Sequence, residues 1–147
     1  GRAMYEQARQ RGDPCAFIFL DMDGLKKIND TFGHKEGDEA ILALSTILKG
    51  CFRENDLVVR YGGDEFVVVM VNIKESSLQG AFARITAQLK AFNDRAVHPW
   101  TLSASWGQVF IEHADAERTF ESIIEESDAK LYEEKRKKKE LAKATSL

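Results

Sequence analysis

The 147 residues hold only two cysteines and two prolines. Cys15 and Cys51 sit in apolar surroundings, Pro14-Cys15-Ala16-Phe17 and Lys49-Gly50-Cys51-Phe52, and read as buried thiols rather than a disulfide framework. The three histidines fall at no ligand spacing to them, so no zinc site is implied. No apolar run approaches the ~20 residues needed to span a bilayer. No charged-then-apolar start resembles a signal peptide, and a cytoplasmic location is the expectation. A net charge of -3 provides no global field for a polyanion; nucleic-acid binding is not implied, and any phosphate site has to be local. Neither a Walker-A pattern nor a dinucleotide-binding glycine fingerprint occurs, which removes the usual phosphate loops at helix starts.

What remains is an ordinary globular composition, 44% hydrophobic and 31% charged, long enough for one domain with a real core. Residues 2–12 read as a polar helix stopped by Gly12 and Pro14. Residues 15–20 form an apolar run without alternation, as in a strand buried on both faces. A short helix is expected over residues 25–32, closed by Gly33. Residues 38–51 carry Ala40, Ile41, Leu44, Ile47, Leu48 and Cys51 at helical spacing. Residues 57–60 and 66–71 read as strands joined by a Tyr61-Gly62-Gly63-Asp64 hairpin turn. Ser76 and Gln79 suggest a capping box opening a helix that runs to about Phe92. Residues 101–111 read as a strand region interrupted at Gly107. A long helix from about Glu117 places Phe120, Ile123, Ile124, Ala129, Leu131 and Tyr132 on or near one face. After the first helix the order is β-α-α-β-β-α-β-α, and its central hairpin argues against an all-parallel sheet. The fold class is α+β, a central, mostly antiparallel sheet flanked by helices.

Two carboxylate clusters fall at strand ends: Asp21 with Asp23, and Asp64 with Glu65 at the hairpin tip. If the strands are neighbours, Asp21 and Asp64 converge, and such carboxylates repel unless a cation lies between them. Hard oxygen donors suit Mg²⁺, whose shell substrate phosphates can complete. Either half alone is weak, since Asp-x-Asp and Gly-Gly-Asp also serve as turn chemistry. An EF-hand reading fails because Leu25 stands where an oxygen ligand is needed.

The combination is specific. Arg60-Tyr61-Gly62-Gly63-Asp64-Glu65-Phe66 follows Phe19-Leu20-Asp21-Met22-Asp23-Gly24-Leu25-Lys26-Lys27-Ile28-Asn29-Asp30 and Gly33-His34-Lys35-Glu36-Gly37-Asp38. Leu102-Ser103-Ala104-Ser105-Trp106-Gly107 and Ser127-Asp128-Ala129-Lys130-Leu131-Tyr132-Glu133-Glu134-Lys135 come later, in order. Together they resemble the GGDEF family of diguanylate cyclases over nearly the whole chain. The resemblance implies a polymerase-palm-like, adenylyl-cyclase-like fold and a single GGDEF domain over residues 1–147, cut from a longer signalling protein. It implies condensation of two GTP into cyclic di-GMP at a two-fold homodimer interface that can be transient, with two Mg²⁺ (or Mn²⁺) per site.

Residue by residue, the resemblance makes Asp21, the Met22 carbonyl, Asp64 and Glu65 the metal-binding set, with Asp64 and Glu65 catalytic. Gly62 and Gly63 let backbone approach the nucleotide, and Asn29 and Asp38 read guanine. An aspartate suits guanine because it accepts from both N1–H and the 2-amino group. Lys26 and Lys135 match phosphate contacts. Arg53, Asp56 and Arg84 match an Arg-x-x-Asp site where cyclic di-GMP inhibits, although Arg-x-x-Asp is also an ordinary surface ion pair. Leu25 replaces the family's usual phenylalanine, and residues 134–140 replace its Gly-Arg-Asn-like ending. There Lys139 stands in for the phosphate arginine as a point charge. Two rival readings are an inactive GGDEF module that only binds GTP or cyclic di-GMP, and another palm-type nucleotidyl transferase. The intact metal and guanine sets speak against the first, and the full signature against the second.

Overall fold

A computed structural model describes residues 1–113 and 117–145. The elements run α1 (Arg2–Arg11), β1 (Cys15–Met22), α2 (Leu25–Phe32), α3 (His34–Cys51), β2 (Leu57–Arg60), β3 (Glu65–Val71), α4 (Glu75–Arg95), β4 (Ala104–Ile111) and α5 (Phe120–Thr145). The strands form one sheet in the order β2-β3-β1-β4, every pairing antiparallel. The fold is α+β.

β1 lies at the centre and is buried along all eight residues, which is why its sequence does not alternate. Ala16, Ile18, Leu20 and Met22 enter one core with Ile28 of α2, Leu44 and Leu48 of α3, and Leu78 and Ile85 of α4. Cys15 and Phe17 enter the other with Tyr5 and Ala8 of α1 and Ile123 of α5. Burial pushes the Cys15 thiol up to about 11 and raises that of Cys51, so both are inert apolar packing.

Four local expectations need correction. The first helix is not simply polar: Tyr5 is fully buried, its ring 5.6 Å from that of Phe17. No capping box opens α4, because Lys74 is the N-cap and Ser76 already lies inside the first turn. β4 begins at Ala104 and runs unbroken through Gly107, which pairs with Phe19 of β1. The buried stripe of α5 is Ile123, Ser127 and Leu131, while Ala129 and Tyr132 are exposed.

The last two corrections share a cause. A β-carbon on Gly107 would lie 2.4 Å from the Leu131 nitrogen and 2.5 Å from the Ser127 carbonyl oxygen. The helix backbone therefore rests directly on the strand, a closeness only glycine permits. That contact fixes which face of α5 is buried and carries its next turns, with Lys135 and Lys138, to the end of β1.

Candidate active site

Asp21 is the last but one residue of β1, facing Glu65 of β3 on one side and Ser105 of β4 on the other. It lies within the strand rather than after it, and is only 7% exposed. The β2–β3 hairpin tip comes alongside: the Met22 N–H donates to the Asp64 carbonyl at 3.0 Å, and the Tyr61 N–H to the Glu65 carbonyl at 2.8 Å. One carboxylate oxygen from each of Asp21, Asp64 and Glu65 lies within 4.8 Å of the others. Asp21 Oδ1 is buried with no hydrogen-bond partner among the described residues. An orphaned buried oxygen among three carboxylates is an incomplete arrangement, and a hard divalent cation is the group that completes it. The donor set therefore fits a divalent metal.

The other Asp21 oxygen, Oδ2, accepts from the Lys135 ammonium of α5. Burial pushes the Asp21 carboxyl up, Lys135 pulls it back, and Asp64 raises it again, leaving it at about 6. Asp23 points away from this cluster. Its Oδ2 accepts from Ser103 Oγ at 2.7 Å and Lys138 Nζ at 2.7 Å, and its Oδ1 from Ser105 Oγ at 2.8 Å. Burial opposes ionisation there, but Lys138 and the two hydroxyls outweigh it and hold the carboxyl below its ordinary value. Lys138 also donates to the Ala104 carbonyl at 2.6 Å. Asp23 and Lys138 thus tie the end of β1 to β4 and α5.

Two residues without a sequence-assigned role shape the site. Lys138 is hidden within a basic run, and only its spacing of three from Lys135 could have singled it out. Arg60 donates to the Gly62 carbonyl at 3.1 Å and the Gly63 carbonyl at 2.6 Å, so its guanidinium braces the hairpin tip. An arginine ending the strand before a Gly-Gly turn was the available signal. Lys139 is exposed one turn beyond Lys135, and its neighbour Lys138 is the one that reaches the strand ends.

α2 starts just past β1, with Gly24 as its N-cap at φ 74 and Lys26 exposed in its first turn. Asn29 is half-buried in α2, and Asp38 is exposed near the start of α3. Elsewhere, Arg53 and Arg84 line a cleft of about 590 Å³ with Gly50, Ser76, Ser77 and Gly80. Asp56 Oδ2 accepts from the Arg53 N–H at 2.8 Å, and Oδ1 from the Arg53 guanidinium at 3.0 Å. The Asp56 side chain is nearly fully buried, so this pair closes a loop rather than decorating the surface. Arg84 donates twice to the Cys51 carbonyl, at 3.1 and 2.9 Å.

Residues 2–141 match the family described as diguanylate cyclase, GGDEF domain. The chain is 36% identical over 136 residues to the diguanylate cyclase DosC of Escherichia coli K12, covering 88% of this chain and 28% of DosC. It thus spans less than a third of that relative. A variant of TpbB (also YfiN) from Pseudomonas aeruginosa comprising only the GGDEF domain superposes with TM-score 0.81 at 29% identity, covering 92% of this chain and 79% of that one. The active GGEEF domain of a diguanylate cyclase from Vibrio cholerae gives TM-score 0.74 at 29% identity, covering 92% and 85%.

Proposed function

This chain belongs to the diguanylate cyclase GGDEF family, and we propose that it condenses two GTP into cyclic di-GMP with release of two pyrophosphates. The observation that carries the reading is the convergence of Asp21, Asp64 and Glu65 around an unpartnered buried oxygen, at the tip of a Gly-Gly hairpin. Asp21, the Met22 carbonyl, Asp64 and Glu65 would hold two Mg²⁺ (or Mn²⁺), which when bound neutralise phosphate charge and stabilise attacking and leaving oxygens.

The chain's own residues do the rest. Asn29 and Asp38 hold the guanine, with Asp38 favouring GTP over ATP. Lys26 and Lys135 steady the phosphates, with Lys139 supplying further charge, and Gly62 and Gly63 leave room for the nucleotide. Two domains face each other about a two-fold axis, each presenting one GTP. The 3′-hydroxyl of one GTP attacks the α-phosphorus of the other; a P–O bond forms, the bond to pyrophosphate breaks, and Asp64 takes the hydroxyl proton. Glu65 supports the developing charge. Much of the catalysis is positioning, so regulation can act through dimer geometry. Arg53, Asp56 and Arg84 form a second site where cyclic di-GMP inhibits, supported by the shared cleft of the two arginines.

The domain works in the cytoplasm, where GTP and reducing conditions prevail. No described helix is long and apolar enough to cross a membrane. The test is incubation of concentrated protein with GTP and Mg²⁺, products separated by chromatography, with Asp64→Asn alongside. Cyclic di-GMP from the parent and none from the variant is expected. Bound GTP without product, in a protein forced to dimerise by an added coiled coil, would overturn the reading.

A further inference from the structure

Asn29 and Asp38 sit on different helices, and one residue turns the chain between them. Gly33 ends α2 and begins α3 at φ 96 and ψ 162, and its N–H donates to the Asn29 carbonyl at 2.9 Å. Side chains with a β-carbon rarely adopt that φ. The reversal sets the first turn of α3 against the last turn of α2.

Gly37 lies in that first stretch of α3, buried, with its own N–H donating to the Gly33 carbonyl at 3.2 Å. It is not among the glycines with positive φ, so backbone conformation does not call for glycine there. Space does. A β-carbon on Gly37 would lie 1.8 Å from Asn29 Oδ1 and 2.9 Å from Asn29 Cγ. The next neighbour, Leu25 Cδ1, would be at 3.4 Å, which is tolerable contact. The Asn29 carboxamide thus occupies the volume where a side chain at position 37 would begin, one residue from Asp38.

We infer that Gly37 is a positioning residue for guanine recognition: its missing side chain seats the Asn29 carboxamide against α3, beside Asp38. The inference rests on the guanine-reading assignment of Asn29 and Asp38 made above. A methyl group at 37 meets the free end of a flexible side chain, not backbone, so Asn29 gives way and the helices stay packed. The helix itself favours alanine over glycine at an interior position. Folding and base reading therefore separate at this residue.

The test measures affinity for the α,β-methylene analogues of GTP and ATP, which cannot release pyrophosphate, by calorimetry. The proteins are the parent, Gly37→Ala, Asn29→Ala and the double variant. Gly37→Ala and Asn29→Ala should each weaken the GTP analogue about tenfold, one hydrogen bond's worth, and narrow its preference over the ATP analogue. The double variant should bind no more weakly than either single one, and Gly37→Ala should melt no lower than the parent. Weak binding by Asn29→Ala with parental binding by Gly37→Ala would overturn the positioning role while leaving the guanine assignment intact. Additive losses, or a lowered melting temperature for Gly37→Ala, would overturn it too. Parental affinity in Asn29→Ala would remove the guanine assignment itself, and this inference with it.

Discussion

Neutralising Asp21 should stabilise the metal-free protein while removing one ligand of the proposed metal site. The carboxyl is buried, Oδ1 has no hydrogen-bond partner among the described residues, and its pKa stands at about 6 against an ordinary 3.8. Because the folded value lies above the unfolded one, the folded state binds the extra proton between them. Stability at this site therefore falls as pH rises through that window and is lowest above it. At about 1.4 kcal/mol per tenfold in the ionisation equilibrium, the charged carboxylate costs up to about 3 kcal/mol near pH 7. The attraction of Lys135 is already inside that balance. Asparagine has the shape of the protonated acid, so Asp21→Asn should recover most of the cost. The assay is urea denaturation in EDTA at several pH values. The variant's advantage should be near zero at about pH 4 and greatest near pH 7. Added Mg²⁺ should stabilise the parent and not the variant, because only a bound ligand shifts the folding equilibrium. A variant less stable than the parent near pH 7 in EDTA, or a pH-independent difference, would refute the argument.

Gly107→Ala should destabilise by about 3 kcal/mol or more in urea melts, because its β-carbon would meet the backbone of α5, which cannot give way as a side chain could. Lys138→Met should loosen the tie to Asp23. Since the Asp23 carboxyl is held below its ordinary 3.8, the stability it confers is present above that value and lost as pH falls below it. Acid unfolding of this variant should therefore lose part of that dependence; an unchanged acid transition would mean that Lys138 does not hold the Asp23 carboxyl down. Arg53→Ala should raise the cyclic di-GMP concentration needed for inhibition about tenfold, with the KM for GTP unchanged, in a steady-state product-inhibition assay.

Much of this was legible in the residues. The unalternating run at 15–20 marks a central strand, and the hairpin between residues 60 and 66 brings Asp64 to its end. What escaped depends on contacts between distant elements. A glycine inside a strand pattern can mean a break or a close backbone approach, and only the position of α5 decides for Gly107. Once α5 rests there, its buried stripe is Ile123, Ser127 and Leu131, and hydrophobicity alone does not select Ser127 over Tyr132. The family resemblance singles out Asp21 and gives Asp23 no role; in the fold Asp21 meets Asp64 and Glu65, while Asp23 meets Ser103, Ser105 and Lys138. The end of the strand separates them: along a pleat residues two apart share a face, but Asp23 lies past Met22, where the chain turns toward α2.

If the Asp21, Asp64 and Glu65 cluster serves a metal-dependent condensation between two GTP-loaded copies of the domain, turnover needs both a divalent cation and a second copy. The most direct test is the rate of pyrophosphate release from GTP per protomer, followed over a range of dilute protein concentrations with Mg²⁺ and again with EDTA. Two pyrophosphates are expected for each cyclic di-GMP, with a rate per protomer that climbs with protein concentration and no turnover in EDTA. A rate per protomer independent of concentration, or undiminished turnover in EDTA, would contradict a metal-dependent condensation between two copies.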